Sequence, residues 1–293
     1  MTILITGSTG TIGSQIIKQL SGKGVKLRAL VRAGKQPQFP AGVETVIGDM
    51  TDLNSMKAAL NGVDTLFLLN AVVPDELTQA LITLDLAADA GIQNVVYLSV
   101  FNGALFSDVP HFTAKYNVER AIEDRGIAAT ILRPAYFFQN DVTLKEAIMN
   151  YGVYPMPVGA VGAAMVDIRD IAEIAAHELL RREQSAVPLP RTTIEVVGPE
   201  VITGTQAAAI WSEVIGKEVA YAGDDLDAFE TMMAQFAPAV LARDMKIMFR
   251  GFHKYGMVPN LAAQTTLTGL LGKPLRTYAD FVRQTLTAWQ ERS

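Results

Sequence analysis

The stretch Ile5–Ile17, "ITGSTGTIGSQII", decides how the rest of the chain is read. It joins the apolar, β-branched run "TILIT" to a segment with helical spacing, in which Ile12, Ile16, Ile17 and Leu20 recur on one face. Gly7, Gly10 and Gly13 fall between the two, in the spacing G-x-x-G-x-x-G. Glycines there permit a tight turn, close backbone approach to a ligand and close packing of helix on strand. The unpaired N–H groups of the helix start would attract a pyrophosphate. Spacing alone also fits a turn that holds nothing. The strand–turn–helix context at the head of the chain is what favours a nucleotide.

Outward from this turn, strand and helix signals alternate. "VKLRALV", "VETVIGD", "VDTLFLL", "NVVYLSV" and "AATILRP" read as strands two to six, with helical segments between most of them. "VDIRDIAEIAAHELLRR" is a further helix and "RTTIEVVG" a seventh strand. Strands separated by helices pair in parallel through right-handed crossovers. The fold class expected is α/β: a doubly wound parallel sheet of the Rossmann kind, with ligands at the carboxyl ends of its strands. "YFFQND" and "NYGVYPMPVGAVG" read as loops over a cleft, and most of the chain beyond Glu200 reads helical. Residues 1–137 and 163–198 are therefore assigned to the nucleotide-binding domain. Residues 138–162 and 199–293 are assigned to a smaller, mainly helical C-terminal substrate domain.

Composition narrows the function. The chain has 293 residues, 49% of them hydrophobic, with a net charge of −5 and no cysteine. Disulfides, thiolate metal sites and cysteine nucleophiles are excluded, and a cytoplasmic setting is expected. An acidic chain is poorly suited to coating nucleic acid, and no apolar run reaches the length of a membrane span. His111, His177 and His253 are too scattered to form a metal centre. Neither a G-x-S-x-G elbow nor a G-x-x-x-x-G-K-[ST] phosphate loop is present.

Charge placement selects the cofactor. An NAD site usually has an acid about 20 residues past the glycines, bonded to the adenosine ribose. Here the first acid in the chain is Glu44, preceded by Lys18, Lys23, Lys26, Arg28, Arg32 and Lys35. Arg32 ends strand two with Lys35 beyond it, placed to grip a 2′-phosphate, although a solvated surface arginine has the same sequence signature. NADP(H) is thus favoured over NAD(H). After strand three, Asp49 would accept from the adenine amino group or cap the next helix, with Met50 beside the ring. Leu69, Asn70 and Ser99 end strands four and five, toward the nicotinamide half.

Together, "GSTGTIG" (7–13), "ALVR" (29–32), "GDMTD" (48–52), "ILRPAYFFQN" (131–140) and "VDIRDIA" (166–172) resemble the NmrA-like family of atypical short-chain dehydrogenases/reductases. "VVGPEVITGTQAAAIWSEVIGKEVAY" (196–221) and "LLGKPLRTYADFV" (270–282) extend the likeness over almost the whole chain. The resemblance implies NADP(H) in a Rossmann domain and a small substrate domain. Cofactor contacts are expected from Gly7, Thr9, Gly10, Thr11, Ile12 and Gly13, and from Pro134, Tyr136 and Phe137 after strand six. The family includes reductases of quinones, dyes and phenolic ethers as well as cofactor-binding regulators. Two readings follow: a reductase of a small conjugated, aromatic or quinone-like acceptor, or a non-catalytic redox sensor acting through a protein partner.

Typical short-chain dehydrogenases use Tyr-x-x-x-Lys, and no lysine of this chain has that tyrosine. His111 stands four residues before Lys115, and the two share a helical stripe with Val118 and Ile122. Lys115 would hold the nicotinamide ribose, as in NmrA-like reductases, or simply snorkel from the core edge. His111 would donate a proton or merely line the mouth. An electron-poor acceptor takes hydride without a strong acid, so positioning would dominate catalysis. Phe101, Phe106, Phe138, Tyr154, Met165 and His111 are the candidate walls of an aromatic-lined pocket, of which about half are expected to touch ligand and the others to be core.

Overall fold

The computed structural model describes residues 1–291. The chain divides into two compact units. The first comprises Met1–Ala104, His111–Arg133 and Arg169–Glu195; the second comprises Leu105–Pro110, Pro134–Ile168 and the chain from Val196 onward. Relative to the boundaries read from sequence, the second unit also takes in 105–110, 134–137, 163–168 and 196–198.

The first unit is built on a sheet of β1 (Thr2–Ile5), β2 (Lys26–Val31), β3 (Val43–Ile47), β4 (Thr65–Leu68), β5 (Asn94–Leu98) and β6 (Ala128–Pro134), completed by a late strand, Thr192–Val196. With the short Val153–Tyr154 counted as β7, that late strand is β8. Their order is β3-β2-β1-β4-β5-β6-β8, and the ladders from β3 across to β6 are parallel. The order reverses between β1 and β4, the switch point beside which doubly wound sheets open a ligand crevice. The intervening helices are α1 (Thr11–Leu20), α2 (Leu53–Leu60), α3 (Glu76–Asp89) and α4 (Pro110–Asp124).

Parallel strands covered on both faces carry apolar residues on both. Leu4, Leu30, Leu66, Leu68, Val95 and Ile131 form one buried layer with Met56 and Leu60 of α2, Leu84 of α3, and Val118 and Ile122 of α4. Val118 and Ile122 thus pack inward as their helical spacing requires. After α5 (Lys145–Met149), α6 (Ile168–Glu183) precedes β8 and buries Ile171, Ile174, Ala175 and Leu179. Its Arg182 is fully buried. There it donates to Thr130 Oγ1 at 2.7 Å and to the Pro190 carbonyl at 2.9 Å, joining α6 to β6 and to the segment entering β8.

The second unit contains α5, β7, α7 (Gly204–Ile215), β9 (Ala220–Tyr221), α8 (Leu226–Met233), α9 (Ala239–Tyr255), α10 (Leu261–Leu271) and α11 (Tyr278–Glu291). Two expectations need correction. "YFFQND" is not an open loop; Phe138–Leu144 form a 3₁₀ helix leading into α5. Within "NYGVYPMPVGAVG", Val153–Tyr154 is a strand in parallel pairing with Ala220–Tyr221. Two residues give too short a period to be seen in sequence, and their partner is some 67 positions away.

The interior of this unit is organised by a buried carboxyl. Asp141 accepts from Tyr154 at 3.1 Å and from Tyr278, whose own oxygen accepts from Trp211 Nε1 at 3.0 Å. Trp211 stacks on Trp289 with ring centroids 5.0 Å apart. Burial pushes the Asp141 carboxyl up to about 7, against the opposing pull of the two phenol hydroxyls. Its Oδ1 has no hydrogen-bond partner among the described residues. An acid whose pKa is raised on folding binds its proton more tightly folded than unfolded. Stability should therefore fall as pH rises from about 4 to about 7, by on the order of 4 kcal/mol across that window. Asp141→Asn should flatten this slope; denaturation midpoints measured between pH 4 and 8 check it, and equal slopes in both proteins would contradict it.

Candidate functional site

Strand one ends at Ile5, and the backbone then turns sharply. Gly7 takes φ +61°, a left-handed conformation that side chains rarely adopt, and a methyl there would lie 3.0 Å from Leu69. Thr6 fastens the turn to β4: its hydroxyl donates to the Leu69 carbonyl at 3.0 Å and accepts from the Leu69 N–H at 2.7 Å. Ser8 donates to the Leu30 carbonyl, fixing the same turn to β2. Gly13 lies in the first turn of α1, where a methyl would meet the Gly7 carbonyl oxygen at 2.3 Å. Only glycine allows that approach.

The start of α1 is electrostatically open. Its N-cap is Gly10, which offers no side-chain cap, and the first turn contains no acid. Thr9, Gly10 and Thr11 are exposed, while Ile12 packs inward. Partial positive charge at such a terminus favours an anion. Beyond β2, Arg32 and Lys35 are exposed, and their side chains form no hydrogen bond or ion pair with a described residue. Arg28 is different: it is committed to Glu44 at 2.9 Å and to the carbonyls of Ala59 and Asn61.

Asp49, after β3, accepts from the Thr51 N–H at 2.9 Å and the Thr51 hydroxyl at 2.7 Å. These bonds, with the nearby Arg32 guanidinium, hold its carboxyl below the usual range. The N-cap of α2 is Asp52, which accepts from Ser55 N–H at 2.8 Å, so the capping alternative for Asp49 is corrected. Met50 Sδ lies 3.7 Å from Asn70 Nδ2, bringing together the ends of β3 and β4. Asn70 is buried, and its Oδ1 has no hydrogen-bond partner among the described residues. A buried acceptor of this kind is satisfied by water or by a donor from a bound group. Anion-ready helix start, uncommitted cations and orphaned amide oxygen together fit a phosphorylated dinucleotide.

At the end of β5, Ser99 is spoken for. It is buried and donates to Glu119, which also accepts from Arg133 Nε at 3.0 Å. On α4, His111 is buried with its ring edge-on to Phe112, centroids 4.7 Å apart. Lys115 is half-buried, with Nζ 3.5 Å from Glu76 Oε1. Tyr116 faces Gly103, where a methyl would lie 3.1 Å from its Cβ. Glu76 is the first residue of α3. Its partner lies 39 positions on, and no local pattern links them.

The remaining candidates lie mostly in the second unit, and their surroundings correct the picture of an aromatic-lined pocket. Phe106 is fully buried, edge-on to Phe252 and Tyr255 at 6.0 and 5.8 Å. Phe138 packs on Tyr278 and Phe281, at 5.3 and 5.5 Å. Tyr154 is tied to Asp141, Met165 is fully buried, and Phe101 of the first unit is fully buried as well. Phe106 and Phe138 are interior because α9 and α11, distant in the chain, supply their packing partners. Pro134 and Tyr136 are buried too, Tyr136 against Phe249 and Phe252 at 6.0 and 5.9 Å. Phe137 keeps part of its surface, beside a bridge to Val166. Among the described residues there is no cluster of metal-ligating side chains, and no helix is long and apolar enough to cross a membrane.

Sheet order, glycine turn and helix start define a dinucleotide-binding protein of the Rossmann class. The chain belongs to the NmrA-like family, which it matches over residues 1–273. It is 30% identical over 289 residues to the NAD(P)H azoreductase of Xenophilus azovorans, with 96% of each chain covered. It is 27% identical over 286 residues to quinone oxidoreductase 2 of Escherichia coli, covering 96% of this chain and 97% of that one. The crystal structure of the Escherichia coli NADPH-dependent quinone oxidoreductase complexed with NADPH superimposes with a TM-score of 0.81, covering 97% of this chain and 99% of that chain. The triphenylmethane reductase of Citrobacter sp. shares the fold, with a TM-score of 0.84 at 23% identity, covering 98% of this chain and all of that one.

The glycines differ in what they support, and substitution should separate them. Gly13→Ala forces a methyl into backbone and should cost about 1–3 kcal/mol of stability. Gly10→Ala, at φ −79° with its nearest neighbour 3.2 Å away, should cost clearly less. Urea midpoints of the two variants against the parent provide the comparison; equal losses would contradict this account of the turn.

Proposed function

We propose that this protein is an NADPH-dependent reductase of small conjugated acceptors, of the quinone or azo-dye kind. The observation that carries the reading is the pairing of an uncapped, acid-free helix start at Gly10–Gly13 with the uncommitted cations Arg32 and Lys35. The relatives support it: the azoreductase and the quinone oxidoreductase are each matched over nearly their whole length.

In this reading the N–H groups at the start of α1 hold the pyrophosphate. Arg32 forks onto the 2′-phosphate and Lys35 adds a second charge. Asp49 and Met50 border the adenine, the Asp49 oxygen not held by Thr51 remaining free to accept. Asn70 Oδ1 accepts from the nicotinamide half, near Leu69. Lys115 donates to the nicotinamide-ribose hydroxyls. When bound, the reduced nicotinamide supplies a hydride. The protein's contribution is to fix the ring so that a flat acceptor meets it in one orientation, which suits an electron-poor acceptor that needs no strong acid. His111, on the stripe of Lys115, supplies the proton that completes reduction in this reading. The acceptor wall is not assigned to Phe106, Phe138, Tyr154 or Met165, whose surfaces are taken up by packing.

Following NADPH absorbance against a panel of quinones and azo dyes tests the reading. Oxidation by at least one class is expected. Tight binding of NADPH and NADP⁺ without oxidation by any acceptor would overturn it and leave a cofactor sensor. Arg32→Glu should weaken NADPH by about 1–3 kcal/mol while leaving NADH nearly unchanged. Equal losses, measured by calorimetry, would remove Arg32 from the phosphate site. His111→Ala should alter the pH–rate profile, and an unchanged profile would make His111 a bystander.

A further inference from the structure

The partner of Lys115 is not the one that helix geometry offers. Glu119 lies one turn along α4, at the i,i+4 spacing where a lysine and a glutamate ordinarily pair. Glu119 is instead taken by Arg133 from β6 and by Ser99 after β5. Lys115 turns to Glu76, at 3.5 Å, with the two side chains 12% and 6% exposed.

Glu76 is suited to act as a fixed anion. It is the first residue of α3, where the helix dipole stabilises negative charge. Its position in the chain, six residues after Asn70, places it at the same carboxyl edge of the sheet. An ammonium so far withdrawn from water needs an opposite charge. The 3.5 Å separation is longer than a direct N–H···O bond, which runs at about 2.7–3.2 Å, so the pairing can localise the ammonium without consuming its three donors.

We propose that Glu76 is a positioning residue: it holds the Lys115 ammonium at the β4–β5 edge of the sheet, directed for the nicotinamide ribose. The inference rests on the assignment of Lys115 to that ribose. It excludes a purely structural pin between α3 and α4, which would support the whole cofactor site equally.

The test is a double-variant cycle of Glu76→Gln and Lys115→Met, the double variant removing both charges so that neither is stranded. Dissociation constants are measured by fluorescence titration for NADPH and for adenosine 2′,5′-bisphosphate, which lacks the nicotinamide ribose. Lys115→Met should weaken NADPH roughly tenfold and Glu76→Gln several-fold, whereas Glu76→Gln in the Lys115→Met background should change it by less than about twofold. Glu76→Asp, which keeps the charge, should restore most of the affinity lost in Glu76→Gln. The bisphosphate should bind all variants alike.

If Lys115→Met leaves NADPH affinity unchanged, the ribose assignment and the inference fall together. If it weakens NADPH while Glu76→Gln does not, the inference alone falls. Additive losses, or parallel losses for the bisphosphate, also overturn it, because Glu76 would then act independently or through the fold.

Discussion

The close approach of α1 to the turn before it is the constraint on which the first unit depends. A methyl at position 13 would sit 2.3 Å from the Gly7 carbonyl oxygen, so the helix can rest on the turn only with bare backbone. That contact aims the start of α1 across the end of β1. Thr6 ties the turn to β4 and Ser8 ties it to β2, the two neighbours of β1 in the sheet. The polar fastening uses side chains beside the glycines and leaves the outward N–H groups of the helix start for a ligand. The turn is therefore a packing solution that also leaves the helix start electrostatically open to an anion, and the same absence of side chains serves both.

The charged side chains of the first unit differ in whether they are committed to the fold. Arg28 holds Glu44 and two carbonyls, Glu119 gathers Arg133 and Ser99, and Arg182 bridges Thr130 to the segment entering β8. These networks compensate burial with several polar contacts, the condition under which buried charge is tolerated. Arg32 and Lys35, by contrast, remain in solvent just past β2, their side chains making no hydrogen bond or ion pair with a described residue. The contrast between Arg28, within β2, and Arg32, just past its end, is the difference between a cation committed to the fold and one left in solvent.

The second unit follows a different logic. Its interior gathers aromatic rings around a single carboxyl: Tyr154 and Tyr278 donate to Asp141, and Trp211 continues the chain of bonds. A sequence rich in aromatics, glycines and prolines between residues 136 and 162 looks like the rim of a cleft. Rings satisfied by one another need no ligand, and the sequence signature of a wet aromatic pocket is the same as that of a dry aromatic core. Whether Phe106 and Phe138 face outward or inward depended on α9 and α11, elements remote in the chain.

The amino-acid sequence by itself determined the sheet, its parallel pairing, the turn at Gly7–Gly13 and the unopposed cations after β2. Each of these is written in local periodicity, in the stereochemistry of glycine or in the absence of an acid between Gly13 and Glu44. Tertiary structure alone decided which polar groups are taken. Asp52 rather than Asp49 caps α2, Ser99 belongs to Glu119, Asn70 keeps a buried oxygen with no hydrogen-bond partner among the described residues, and Lys115 meets Glu76 in preference to its helical neighbour. Backbone propensity acts over a few residues and can be read along the chain. Side-chain pairing is settled by distances in space between residues tens of positions apart, and no one-dimensional pattern records them.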